Sequence, residues 1–129
     1  MTQDRPTVLV ADDDDDIRDL VSFKLTQAGY DVTAVEDGTS AWAALTGGDV
    51  PAIAVLDVMM PGLSGLDVLR KIREDDRTKD VPIILLTARS RESDVDDGFA
   101  SGANDYVIKP FSPRELVHRV GTVLSRGRG

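Results

Sequence analysis

Apolar residues in this chain follow two alternating rhythms. Short, nearly unbroken runs such as Val8-Leu9-Val10-Ala11, Ala52-Ile53-Ala54-Val55-Leu56 and Val81-Pro82-Ile83-Ile84-Leu85-Leu86 alternate with longer stretches where apolar positions recur every three or four residues. The runs are rich in β-branched residues, as expected of parallel strands covered on both faces. The longer stretches have the period of amphipathic helices. The first carries Ile17, Leu20, Val21, Leu25 and Ala28 on one stripe and stops at Gly29, with Asp14, Asp15 and Asp16 in its opening turn, where acids suit the helix dipole.

Residues 30–36 read as a short strand and residues 39–45 as a short helix closed by Gly47-Gly48. After the strand that ends at Asp57 come a loop with Pro61, Gly62 and Gly65 and a helix carrying Leu66, Leu69 and Ile72. Residues 81–86 form a central strand, residues 89–101 a weakly amphipathic helix with Asp94, Asp96 and Asp97, and residues 105–109 the last strand. Ser112-Pro113-Arg114-Glu115 predicts a capping box, with Ser112 as N-cap, Pro113 at the first helical position and Glu115 at the third. The helix it opens buries Leu116, Val117, Val120, Val123 and Leu124. Strand and helix alternate throughout, which implies an α/β fold with helices on both faces of a parallel sheet.

At 129 residues and 41% apolar content, the chain is one globular domain with a sizeable core, expected over residues 1–126, with residues 127–129 a flexible tail or the start of a linker. It has no cysteine, which excludes disulfides and thiolate metal sites. No apolar run approaches the roughly 18 residues of a membrane span, and the polar opening lacks a signal-peptide core, so a cytoplasmic protein is expected, without membrane partners. The net charge of 15 − 23 = −8 argues against direct nucleic-acid binding by this domain.

Three of the strands end in charge: the first in Asp12-Asp13, the third in Asp57, the last in Lys109-Pro110. In an open parallel sheet the ligand crevice lies outside the carboxyl ends of the strands, so these residues can meet at one site. Crowded carboxylates raise at least one pKa, and a hard divalent cation removes that penalty. His118, the only histidine, falls off the apolar stripe of its helix and reads as exposed. Trp42 reads as packing.

With Leu86-Thr87-Ala88, these motifs resemble the receiver domain of bacterial two-component response regulators, from Val8 to about Arg126. The resemblance implies a flavodoxin-like, five-stranded sheet of order 2-1-3-4-5. It implies that Asp57 accepts a phosphoryl group from a sensor histidine kinase or phosphotransfer protein. Mg²⁺ would be held by Asp13, Asp57 and the Met59 backbone carbonyl, with Asp12 acting mainly through water. Lys109 and Thr87 would contact the phosphoryl oxygens, across a cis Lys109–Pro110 peptide that aims the lysine. Thr87 and Tyr106 would form the switch, read by an output partner at the face built from residues 89–101, 105–109 and 112–126. Such a domain is a regulatory phosphoacceptor, not an enzyme, and catalyses only its own phosphorylation and dephosphorylation.

The ending 109–117 resembles regulators with winged-helix DNA-binding outputs, which dimerise through that face. Asp105, Glu115 and Arg119 match their charge pattern, but Val95 stands where the basic partner of Glu115 is expected, so weak or absent dimerisation is predicted. Within the family, the chain is a receiver acting on a partner or, alternatively, the N-terminal receiver of a larger DNA-binding transcriptional regulator or other multidomain protein. A haloacid-dehalogenase-like phosphatase would need a second acid where Met59 stands, and a nucleotide- or flavin-binding module a glycine-rich turn where Asp12–Asp16 stand.

Overall fold

The computed structural model describes residues 5–88, 96 and 99–127. Its elements are β1 (Thr7–Ala11), α1 (Asp15–Gln27), β2 (Asp31–Val35), α2 (Gly38–Thr46), β3 (Ile53–Asp57), α3 (Gly65–Glu74), β4 (Ile83–Ala88), β5 (Asp105–Lys109) and α4 (Pro113–Gly127). The strands form one parallel sheet of order β2-β1-β3-β4-β5, as the resemblance implied. The helix expected over residues 89–101 falls mostly outside the described residues, although 96, 99 and 100 are helical.

Strand alternation divides the core in two. On one face Leu9, Ala11, Leu56 and Leu85 pack with Leu45 of α2 and Leu69 and Ile72 of α3. On the other, Val8, Val10, Val55 and Leu86 pack with Val21 and Leu25 of α1 and Leu116, Val120 and Val123 of α4. β3 is buried at every position, consistent with a strand that reads as an unbroken apolar run. Trp42 packs against the first cluster, under Lys71, and His118 is exposed; both agree with the sequence reading.

Several local expectations shift. β4 begins two residues later than the apolar run and continues through Ala88, because Pro82 has no N–H for the ladder; its carbonyl accepts from Ala54. Thr87 therefore lies inside the strand. Leu20 is 48% exposed, off the buried stripe of α1, which is carried by Val21 and Leu25. Asp14 is the N-cap of that helix, accepting from the N–H groups of Asp16 and Ile17. Gly65 opens α3 rather than sitting in the preceding loop, for a steric reason: a Cβ there would run into the Asp57 carbonyl. The reciprocal capping box occurs at Ser64 and Asp67, where it was not foreseen. At Ser112 only half of the expected box forms. Ser112 Oγ accepts from Glu115 N–H at 3.2 Å, while the Glu115 carboxylate turns to Arg119 at 3.4 Å. α4 runs to Gly127, one residue into the stretch expected to be a tail.

Candidate functional site at the carboxyl edge of the sheet

β1 and β3 are neighbours in register, Ala11 opposite Leu56, so the residues that follow them emerge side by side. Asp12 is fully buried and Asp57 is 4% exposed. β5, two strands along the sheet from β3, contributes Lys109. Its ammonium bridges the two acids, 3.1 Å from Asp57 Oδ2 and 3.0 Å from Asp12 Oδ2. The Lys109–Pro110 peptide is cis. Asp13 is exposed at the rim, and Asp12, Asp13 and Asp57 each offer an oxygen within 4.8 Å of the other two.

Local hydrogen bonds hold the acids in place. Asp57 Oδ1 accepts from Met59 N–H at 3.2 Å, and Asp12 Oδ1 accepts from Asp14 N–H at 2.9 Å. Arg18 donates to the Asp12 carbonyl at 2.9 Å, tying the start of α1 to the end of β1. Asp12 Oδ2, by contrast, has the ammonium nearby but no hydrogen bond directed at it.

Charge is left over here. Three carboxylates and one ammonium sum to −3 + 1 = −2 when all are ionised. Burial, reinforced by the adjacent Asp12 carboxylate, pushes Asp57 up to about 7, against the opposing pull of Lys109. Burial also works to lower Lys109, but Asp57 and Asp12 outweigh it and hold the ammonium above its ordinary value. An all-oxygen donor set, a residual −2 and an undirected buried carboxylate oxygen together suit a hard divalent cation, so the cluster is able to hold a metal ion.

Residues 8–121 match the response regulator receiver domain. The chain belongs to that family. It is a regulatory domain of two-component signal transduction, homologous to known response regulators. The phosphate regulon transcriptional regulatory protein PhoB of Pseudomonas aeruginosa is 42% identical to the receiver over 120 residues, covering 93% of this chain and 52% of that protein. The DNA-binding dual master transcriptional regulator RpaA of Synechocystis is 43% identical over 121 residues, covering 94% of this chain and 50% of the relative. The receiver thus spans about half the length of these relatives. Among solved structures, the receiver domain of Francisella response regulator 1452 superposes with a TM-score of 0.84 at 36% identity, covering 95% of this chain and 98% of that one.

The remaining residues singled out in the sequence lie around this centre. Thr87 is buried one residue beyond the level of Asp57 in the β3–β4 register, and its hydroxyl donates to the Ala88 carbonyl at 3.4 Å. Met59 is 53% exposed and meets Asp57 through its N–H. Tyr106 projects to the opposite face of β5 from Val107, half-buried, with its ring edge-to-face against Phe99 at 5.6 Å. Sequence reasoning did not foresee a groove of about 400 Å³ beside Lys109, lined by Ile17, Leu20, Val21, Phe111 and Pro113. The apolar residues Leu20 and Phe111 flanking the charged strand ends were its only signal. No helix among the described residues is long and apolar enough to cross a membrane.

Proposed function

We propose that this receiver accepts a phosphoryl group on Asp57, with Mg²⁺ as cofactor, from a sensor histidine kinase or phosphotransfer protein in the cytoplasm. The observation that carries this reading is the Lys109 ammonium set between two buried carboxylates, with a third, Asp13, at the rim, so that acids outnumber the cation. A carboxylate oxygen of Asp57 attacks phosphorus, the bond from phosphorus to the donor breaks, and an acyl phosphate forms. Lys109, already 3.1 Å from Asp57, balances a phosphoryl oxygen. The Thr87 hydroxyl donates to another, exchanging its long bond to the Ala88 carbonyl. Asp13, Asp57 and the Met59 carbonyl would hold the metal, with Asp12 acting through water, and the metal would supply charge neutralisation for the transferring group. Catalysis is limited to this self-phosphorylation and its reversal by hydrolysis.

The acyl phosphate adds about two negative charges and strong acceptors at one point. Thr87 is drawn toward it and Tyr106 leaves the edge of Phe99 for the space created, altering the face formed by residues 89–101, 105–109 and 112–126. That face carries the output. The phosphodonor approaches over the apolar groove that Lys109 itself lines. A second reading, favoured by relatives about twice its length, makes the chain the receiver part, residues 1–126, of a longer DNA-binding regulator. The mass of the native gene product, read by immunoblot, separates the two.

Intact mass after acetyl phosphate treatment tests the central claim. One added phosphoryl group should appear with Mg²⁺, not with chelator, and not in Asp57→Asn. Equal labelling of Asp57→Asn would refute the assignment.

A further inference from the structure

Most cations in this acidic chain have partners. Among the described residues, Arg5, Arg18, Arg70, Lys79, Lys109 and Arg119 sit on carboxylates. Arg73 and Arg77 bond main-chain carbonyls, and Lys71 lies over Trp42. Lys24, Arg114 and Arg126 alone, of the described lysines and arginines, lack an acidic, carbonyl or aromatic partner. Two of these three line one groove of about 580 Å³ between α1 and α4, together with His118 and Gln27, with Ala28 and Val117 as its apolar residues. No carboxylate lines it.

Lys24 has a local explanation, since it sits in the last turn of α1, where a cation suits the helix dipole. Arg114 has none. It occupies the first turn of α4, where the dipole favours anions, and makes no ion pair to offset this. Surface cations without partners scatter in most proteins; here one from each helix, Lys24 and Arg114, lines the same groove, in a domain of net charge −8.

We propose that this groove docks an acidic helical segment of a protein partner, with carboxylates one turn apart reaching Lys24 and Arg114 while their methylene stems cover Ala28 and Val117. Charge complementarity selects an acidic occupant, and the surrounding negative charge disfavours the extended phosphate backbone of a nucleic acid, which needs many cations along its track. The groove is lined by none of Asp12, Asp57, Thr87 or Lys109, so the inference holds or fails independently of the role of Asp57.

Amide shifts of the isotope-labelled full chain, titrated with a capped alanine-based peptide carrying glutamates at helical spacing, provide the test. Shifts should cluster on Lys24, Gln27, Ala28, Arg114, Val117 and His118 and diminish with added salt. The Lys24→Glu/Arg114→Glu double variant should bind roughly tenfold more weakly, as expected for reversing two exposed pairs. Its unperturbed spectrum elsewhere reports that it remains folded. A peptide with glutamine in place of glutamate should leave the groove unmoved. Equal shifts with the glutamine peptide, unchanged affinity in the double variant, or shifts centred elsewhere would overturn the proposal. So would tighter binding of duplex DNA at the same salt, or a concentration-dependent dimer in sedimentation that the double variant abolishes.

Discussion

Arg73 and Lys109 are both partly buried cations, one at each end of the sheet, and they are satisfied in opposite ways. At the amino edge, Arg73 reaches from α3 to the carbonyls of Gly102, Val81 and Lys79 and to Asn104 Oδ1, at 2.7 to 3.1 Å. None of these oxygens is charged. Asn104 Oδ1 in turn accepts from Ile83 N–H at 2.8 Å, so the starts of β4 and β5 are fastened to one guanidinium. At the carboxyl edge, Lys109 meets two carboxylates and leaves a third at the rim. The first arrangement is complete in itself. The second is electrostatically unfinished, with an excess of negative charge that a bound cation would offset. Charge held in an unfavourable arrangement inside an otherwise satisfied fold is the usual condition of a functional site.

The contrast predicts its largest effect in the pH dependence of the metal-free protein. Asp57 is raised from 3.8 to about 7 by burial and Asp12. Below the unfolded value both states hold the proton and the group imposes no penalty. Between the two values the unfolded chain has released its proton while the folded one keeps it, so stability falls as pH rises, levelling off above about 7. Urea midpoints in chelator should therefore decline from about pH 5 to about pH 8, and Asp57→Asn should flatten the decline. An equal slope in Asp57→Asn would mean that the stored charge lies elsewhere.

The other end of the comparison breaks with Arg73→Ala. Removing the guanidinium orphans two part-buried carbonyls, Gly102 and Val81, together, for a loss of roughly 3 kcal/mol by urea denaturation. Arg73→Lys should recover little, because an ammonium cannot reach oxygens spread around a planar fork. Acetyl phosphate labelling of the folded fraction should persist. A loss below about 1 kcal/mol would show that the amino edge is not fastened through this residue.

Mg²⁺ sharpens the same contrast on a smaller scale. At ten times its dissociation constant it should stabilise by about 1.4 kcal/mol, or roughly 4 °C in thermal melts. Asp13→Ala should lose most of this response and Arg73→Ala should keep it. An unchanged response in Asp13→Ala would put the ion at another site.

The two edges also differ in how much of them the sequence reveals. The carboxyl edge was legible because its chemistry interrupts a pattern: a charged residue directly after a buried apolar run has to be accommodated, and three such interruptions converge through parallel topology. The amino edge was not. Arg73 is one polar residue on an amphipathic helix, and its partners are backbone carbonyls and an asparagine far along the chain. Spacing carries no trace of such contacts. Gly65 was misplaced for the same reason, since its close approach to Asp57 arises only when α3 folds back over β3. The Ser112 box was overread because Glu115 had a competing partner, Arg119, one turn along its own helix. Strand order came from family resemblance; hydrophobic periodicity contains no information about which strands are neighbours.

The smallest expected effect concerns Arg119, whose charges are matched but exposed. It donates to both oxygens of Asp105 at 3.1 Å and lies 3.4 Å from Glu115, all within one chain. Asp105 holds Arg119 above its ordinary value through their hydrogen bond, yet the guanidinium is 40% exposed, so screening leaves the pair worth only about 0.5 kcal/mol. Arg119→Ala should shift the urea midpoint by no more than that. Val95, the residue whose lack of charge motivates the dimerisation argument, lies outside the described residues, but the pairing of Arg119 bears on it directly. A dimer built through this face would have to exchange bonds already made inside the chain, with little net gain, and Glu115 would find no basic residue at position 95. Sedimentation of the beryllofluoride-treated protein at tens of micromolar should therefore give a monomer for both the parent and Arg119→Ala. A tight dimer in the parent, lost in the variant, would show that the exchange is favourable and that this ion pair is a latent intermolecular contact.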